Sequence, residues 1–183
     1  MRASLSLLSM PLNKYAPQVA THRRTQNAIL EATKELIATT GLKKMSMIEI
    51  ADVSQVSRAT LYNHYRDKES VLLALCESEL QRLVTVAQSA SSVQAALEML
   101  SREVSEDKAL AAMRTSDPET LAMALAAQEN LLWRAFSVAI SHLVSDEMTS
   151  ELVVRWLIGQ ALHPLTPEQS RVQAKGISDI ANL

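Results

Sequence analysis

The sequence predicts an all-α chain in two parts: an N-terminal three-helix helix-turn-helix domain, then a C-terminal helical ligand-binding and dimerisation domain. Three observations carry that prediction. Glycine and proline are scarce, three and five in 183 residues, so few positions interrupt a helix. No strand-like alternation of apolar and polar residues persists anywhere. Two short segments that open on Ser46 and Ser57 stand just ahead of a long amphipathic run, the order of a helix-turn-helix and its connecting helix. At 48% hydrophobic and 21% charged residues, the chain suits two small soluble cores.

Residues 1–21 read as a flexible N-terminal extension. Their apolar stretch, Leu5, Leu7 and Leu8, is interrupted by serine and closed by Pro11, too short for a membrane span and poor as a signal peptide. No other span is legible, which places the chain in the cytoplasm. Over residues 25–39, Ile29, Leu30, Thr33, Leu36 and Ile37 recur at helical spacing and Gly41 closes the helix. Ser46 with Glu49 forms a capping box ahead of Met47, Ile50 and Val53. That helix is expected to bury those three and turn Glu49 and Asp52 outward. Ser54 to Ser57 make the turn, and Ser57 caps a second short helix. Here Leu61 and Tyr65 face inward, while Arg58, Ala59, Tyr62 and Asn63 are left outside. Asp67 caps a third helix, predicted over 67–88, whose apolar stripe is Val71, Leu72, Leu75 and Leu80.

These residues carry a resemblance. Thr40-Gly41, Ile50-Ala51, Val56-Ser57, Arg58 to Tyr62, His64-Tyr65 and Lys68-Glu69 resemble the DNA-binding segment of the TetR family of bacterial transcriptional regulators, over about residues 22–80. The family usually has glycine where Gln55 stands and often where Ala59 stands. A left-handed Gln costs about 1 kcal/mol relative to glycine. The Ala59 methyl limits backbone approach to a base edge or touches a thymine methyl. The resemblance implies double-stranded DNA as partner, a homodimer and a small-molecule effector. Residues 22–70 then form the DNA-binding domain and 71–183 the regulatory and dimerisation domain.

Charge agrees with that division. Residues 1–68 hold ten Lys or Arg against five acids, a balance of +5 in a chain whose net charge is −2. A basic head on an acidic body meets phosphate at one end only. Arg58 is the expected base reader, since a guanidinium bonds guanine O6 and N7 together, with Ala59 and Asn63 secondary. Thr60, Tyr62, His64 and Lys68 stand where the family contacts phosphate, and Ser46 and Thr25 are expected to add helix N-termini. Lys14, Arg23 and Arg24 offer an alternative reading of the extension, as an arm reaching the DNA backbone or minor groove.

The second part is helical throughout. Short helices are expected over 93–103 and 106–114. Asp117-Pro118 then opens a six-turn post bearing Leu121, Leu125, Leu132, Phe136, Ile140 and Leu143 on one face. Two more helices, 147–162 and 167–181, carry Gly159 and Gly176 inside them; close helix crossing would explain glycine there, where each costs about 1 kcal/mol relative to alanine. With Leu152, Val153, Trp156, Val172 and Ile180 beside them, the pair is expected to form a dimer interface. Met113, Met123, Trp133, Phe136 and Trp156 could line an apolar ligand pocket and Glu129 a polar contact in it, or all could be ordinary packing and solvated surface.

Other chemistries are illegible. Four scattered histidines make no metal motif, and residues 42–158 contain no glycine for a phosphate loop. No metal, cofactor or enzymatic activity is expected. The single cysteine, Cys76, excludes an intrachain disulfide; it reads as a buried small hydrophobe rather than a redox sensor, which needs an electropositive, accessible site. The reading is a dimeric repressor of a palindromic operator, released by a small apolar ligand. The alternative is a helix-turn-helix regulator that is constitutive or controlled by a protein partner.

Overall fold

A computed structural model describes residues 16–126, 131–144 and 146–181, and there the chain is built from α-helices alone. The first, α1 (Ala16–Thr39), is longer than the 25–39 expected. Its apolar face is the expected one: Ile29, Leu30, Leu36 and Ile37 are buried, and buried Thr33 donates its hydroxyl to the Ile29 carbonyl at 2.7 Å. Gly41 ends the run at φ +86°, a left-handed conformation that favours glycine. A β-carbon there would also lie 3.3 Å from Ser116 Oγ.

Helices α2 (Met47–Val53), α3 (Arg58–His64) and α4 (Lys68–Gln88) follow with the expected caps. Ser46 and Glu49 exchange backbone hydrogen bonds, Ser46 N–H to Glu49 Oε2 at 2.8 Å and Glu49 N–H to Ser46 Oγ at 3.3 Å. Asp67 accepts from Ser70 N–H at 2.8 Å. One expectation for α2 is corrected: Ile50 and Ala51 are buried but Val53 is exposed. The helix ends at Val53, so the inward positions pass from Ile50 to its neighbour Ala51.

The first core gathers Ile29, Ile37, Ile50, Leu61, Val71 and Leu75 from these four helices. Fully burying such a side chain contributes about 1.5–3 kcal/mol. Ala109 belongs to this core and Met113 packs on it, although both lie on α6 (Lys108–Ser116), which packs along α1.

The second core joins α5 (Val93–Ser105), the rear half of α4, α8 (Leu131–Val144), α9 (Glu147–Leu162) and α10 (Pro167–Ala181). The helices 147–162 and 167–181 stand as expected, but the six-turn post does not. Helix α7 (Pro118–Ala126) ends before α8 begins, and Trp133 Nε1 donates to the Ala124 carbonyl at 3.4 Å. In one straight helix those residues would be roughly 13.5 Å apart along the axis, beyond an indole's reach. Helices α7 and α8 therefore do not lie on one straight axis.

Two more expectations are corrected. Cys76 is exposed rather than buried, because α4 turns Leu75 inward and leaves Cys76 on the adjoining face. Val153 is fully buried in the second core, so it is no part of an outer face. A β-carbon added to Gly159 or Gly176 would meet nothing within 4 Å, so no close crossing within the chain requires glycine there. Among the described residues, no helix is long and apolar enough to cross a membrane.

Candidate nucleic-acid interface and internal cavity

The turn between α2 and α3 fixes the recognition surface. Gln55 takes φ +59°, the left-handed geometry expected of it, and Val56 N–H closes the turn on the Ala51 carbonyl at 3.1 Å. Ser57 Oγ then accepts from Thr60 N–H at 3.0 Å and lies 2.7 Å from Thr60 Oγ1. Two hydroxyls sharing one contact use one proton between them and leave the other for a phosphate. With Leu61 and Tyr65 buried, Arg58, Ala59, Tyr62 and Asn63 project outward together on one exposed face.

The other residues of the expected surface have partners that qualify their roles. His64 is half-buried and stacks on His22 of α1, ring centroids 4.2 Å apart. Burial, with the nearby His22 imidazole, pushes its pKa below the usual histidine value, so His64 is neutral near pH 7 and meets phosphate with one N–H only. Lys68 gives two of its ammonium protons to the Leu42 and Met45 carbonyls, both at 3.1 Å, and so holds the α1–α2 loop as well as keeping one proton for a phosphate. Ser46 spends both its N–H and its hydroxyl on Glu49, leaving the backbone N–H groups of Met47 and Ile48 at that end. Thr25 is corrected: it lies inside α1 and offers no helix N-terminus. Exposed Lys44, in the loop held by Lys68, was not singled out from the sequence, where nothing but its charge marks it.

Beneath α4 lies a cavity of about 410 Å³, walled by side chains of every helix from α4 to α9 and by Ile37 and Leu42. Met113, Trp133 and Phe136 line it as expected, and Trp133 meets Phe136 edge to face at 6.2 Å. Met123 instead points outward, 73% exposed, and Trp156 stands off the cavity with its indole N–H on Gln173 Oε1 at 2.7 Å. Glu129 lies outside the described residues. The α4 contribution, Leu72, Cys76, Leu80 and Leu83, was legible only as an apolar stripe.

Charged groups touch this cavity in one network. Lys34 Nζ bonds Glu79 Oε2 and Asp107 Oδ2, each at 2.7 Å; Arg82 bonds Glu79 at 3.0 Å and Glu103 at 2.6 Å. Burial alone would lower the Lys34 pKa, but the bonds to Asp107 and Glu79 outweigh it and raise it. Desolvation by the apolar cavity wall beside it raises the Cys76 thiol above its usual range, with Glu79 adding to the effect, so the thiol is a sluggish nucleophile although its residue is open to solvent. A further pair joins the head to the body: Lys43 Nζ reaches Asp117 Oδ1 at 3.0 Å, and its pull lowers the pKa of that buried carboxyl. Among the described residues, no three His, Cys, Asp or Glu side chains converge as a metal site would need.

A capped helix-turn-helix presenting an arginine, a tyrosine and an amide on one face, mounted on a helical body, defines a DNA-binding transcription regulator. Residues 29–75 match the model of the bacterial regulatory proteins of the tetR family, and over that segment the chain is similar to that family. No curated protein matches it by sequence. Among solved structures, the fatty acid degradation regulator FadR from Bacillus halodurans is 16% identical, aligned over 86% of this chain and 94% of its own at a TM-score of 0.62. The dihydroxyacetone kinase operon activator DhaS is 15% identical over 86% and 94%, at 0.59. The TetR family repressor AlkX from a Dietzia species, implicated in biodegradation of n-alkanes, is 15% identical over 86% and 95%, at 0.55. At such identities the likeness is one of fold.

Proposed function

We propose that the chain is a cytoplasmic repressor that binds a palindromic operator as a homodimer and is released by a small apolar ligand held in the body, without turning that ligand over. The observation that carries this reading is the apolar cavity of about 410 Å³ beneath α4, a size typical of small-molecule sites. A ligand there touches the helix that bears the DNA-binding head. By preferring one setting of α4, it changes the spacing of two heads across a dimer. In this reading residues 22–70 read DNA, 71–183 regulate and dimerise, and 1–21 form an extension.

Arg58 is the base reader, Ala59 and Asn63 support it, and Tyr62, Thr60 and His64 set register on the backbone. The dimer reading is supported by the outer faces of α9 and α10, where Leu152, Val172 and Ile180 are exposed beside two glycines with open space around them. A second backbone can approach closely over glycine.

Selecting source-genome fragments on the purified protein at fixed salt, then measuring anisotropy with the winners, tests the reading. One enriched palindrome, bound by a protein that sediments as a dimer and released by an apolar compound, is expected. Binding that is uniform across sequences would overturn the operator assignment. An operator complex that no cavity-binding compound changes would favour a constitutive or partner-controlled regulator.

A further inference from the structure

We propose that the cavity takes an uncharged straight-chain aliphatic molecule and discriminates against amphiphiles with an anionic head, such as fatty-acid anions. This inference rests on the effector reading above and names the chemical class of that effector.

The wall decides the tail. Leucine, valine, isoleucine and alanine side chains make most of it, and its two aromatic residues, Trp133 and Phe136, meet edge to face. No parallel pair of rings is available to sandwich a planar ligand. A flexible aliphatic chain fits such a surface.

The charged network decides the head. Lys34 and Arg82 face Glu79, Glu103 and Asp107, and each cation already bonds two of those acids. Asp107 is committed a second time, because its Oδ1 caps α6 through Leu110 N–H at 2.8 Å. Against the other side of the same cluster lies a polar hollow of about 300 Å³, where Arg102 is offset by Glu106. A carboxylate leaving the cavity here meets an excess of acids. To gain a cation it must displace a resident carboxylate, which is then left half-buried without its partner. An alcohol or an alkane end imposes no such exchange.

Cys76 supplies a readout that does not depend on DNA. It is the chain's single cysteine, it is exposed, and it lines the cavity, so an occupant covers it. Full-length protein would be alkylated with iodoacetamide at mildly alkaline pH in the presence of 1-decanol or decanoate at equal free concentration. Decanol is expected to protect the thiol, with decanoate needing roughly tenfold more for the same protection, a difference of about 1.4 kcal/mol. Equal protection by decanoate, or none by decanol, overturns the inference. Glu103→Gln frees one bond of Arg82 and is expected to narrow the gap between decanoate and decanol at least about threefold. An unchanged gap, with thermal melting showing the variant folded, overturns the charge argument.

Operator anisotropy on the same samples separates the two readings. Decanol that protects Cys76 without changing DNA affinity refutes the effector role and leaves the ligand class standing. Decanol and decanoate that release DNA at the same concentration do the reverse.

Discussion

Gln55 shows at one residue how far local chemistry can be read and where it stops. The left-handed conformation was legible from the resemblance, which usually has glycine at this position, and φ +59° bears it out. Gln55→Gly removes the steric cost, offset in part by a freer unfolded chain, and is expected to stabilise the protein by about 0.5–1 kcal/mol in urea unfolding. Lys68 was legible only in part, because nothing in the sequence says that its ammonium meets the Leu42 and Met45 carbonyls. Lys68→Ala should therefore weaken all DNA about equally and also lower stability by roughly 1–2 kcal/mol. Arg58→Ala should relax sequence preference and leave the melting temperature unchanged; equal melting temperatures for the two variants would undo this assignment. At His64, burial and then His22 hold the folded pKa below its ordinary 6.5, so the unfolded chain binds the proton first. The stability this group contributes is present above about pH 6.5 and is lost as pH falls through the folded value. The stability of the wild type in urea unfolding should accordingly fall more steeply on acidification than that of His64→Gln.

Among the elements, caps and apolar stripes carried most of the fold. Ser46, Ser57 and Asp67 start their helices where the sequence places them, and the bounds of α9 and α10 agree with 147–162 and 167–181. That α7 and α8 do not share one axis was hidden because Leu121 to Leu143 keep one helical phase, and periodicity reports which face is apolar without reporting a bend. Equally hidden was the polar knot between α5, α9 and α10, since its partners lie far apart in sequence. Gln160, 2% exposed, accepts from the Ser101 and Ser105 hydroxyls, and Ser101 lies 2.7 Å from Ser170 Oγ. Gln160→Ala leaves buried hydroxyls without their acceptor and is expected to cost about 1–3 kcal/mol in chemical denaturation; a cost below about 0.5 kcal/mol would mean that water replaces the amide.

For the whole molecule, the division into a basic head and an acidic body was legible from charge, but the ties between them were not. Lys34 to Asp107 and Lys43 to Asp117 are salt bridges over long sequence separations, and α6 completes the first core with Ala109 and Met113. Such pairings leave no local pattern. They also bear on how this protein could have been assembled and how it can be cut. A head that borrows part of its interior from the body is not a cassette that can be moved between chains unchanged. A fragment ending after α4 would bare the flank of α1 that α6 covers, and it should melt at lower temperature and bind operator half-sites less tightly than its share of the contacts suggests. A fragment as stable as the intact chain would show the head to be self-sufficient. Otherwise, a graft of this head onto another body must bring α6 with it.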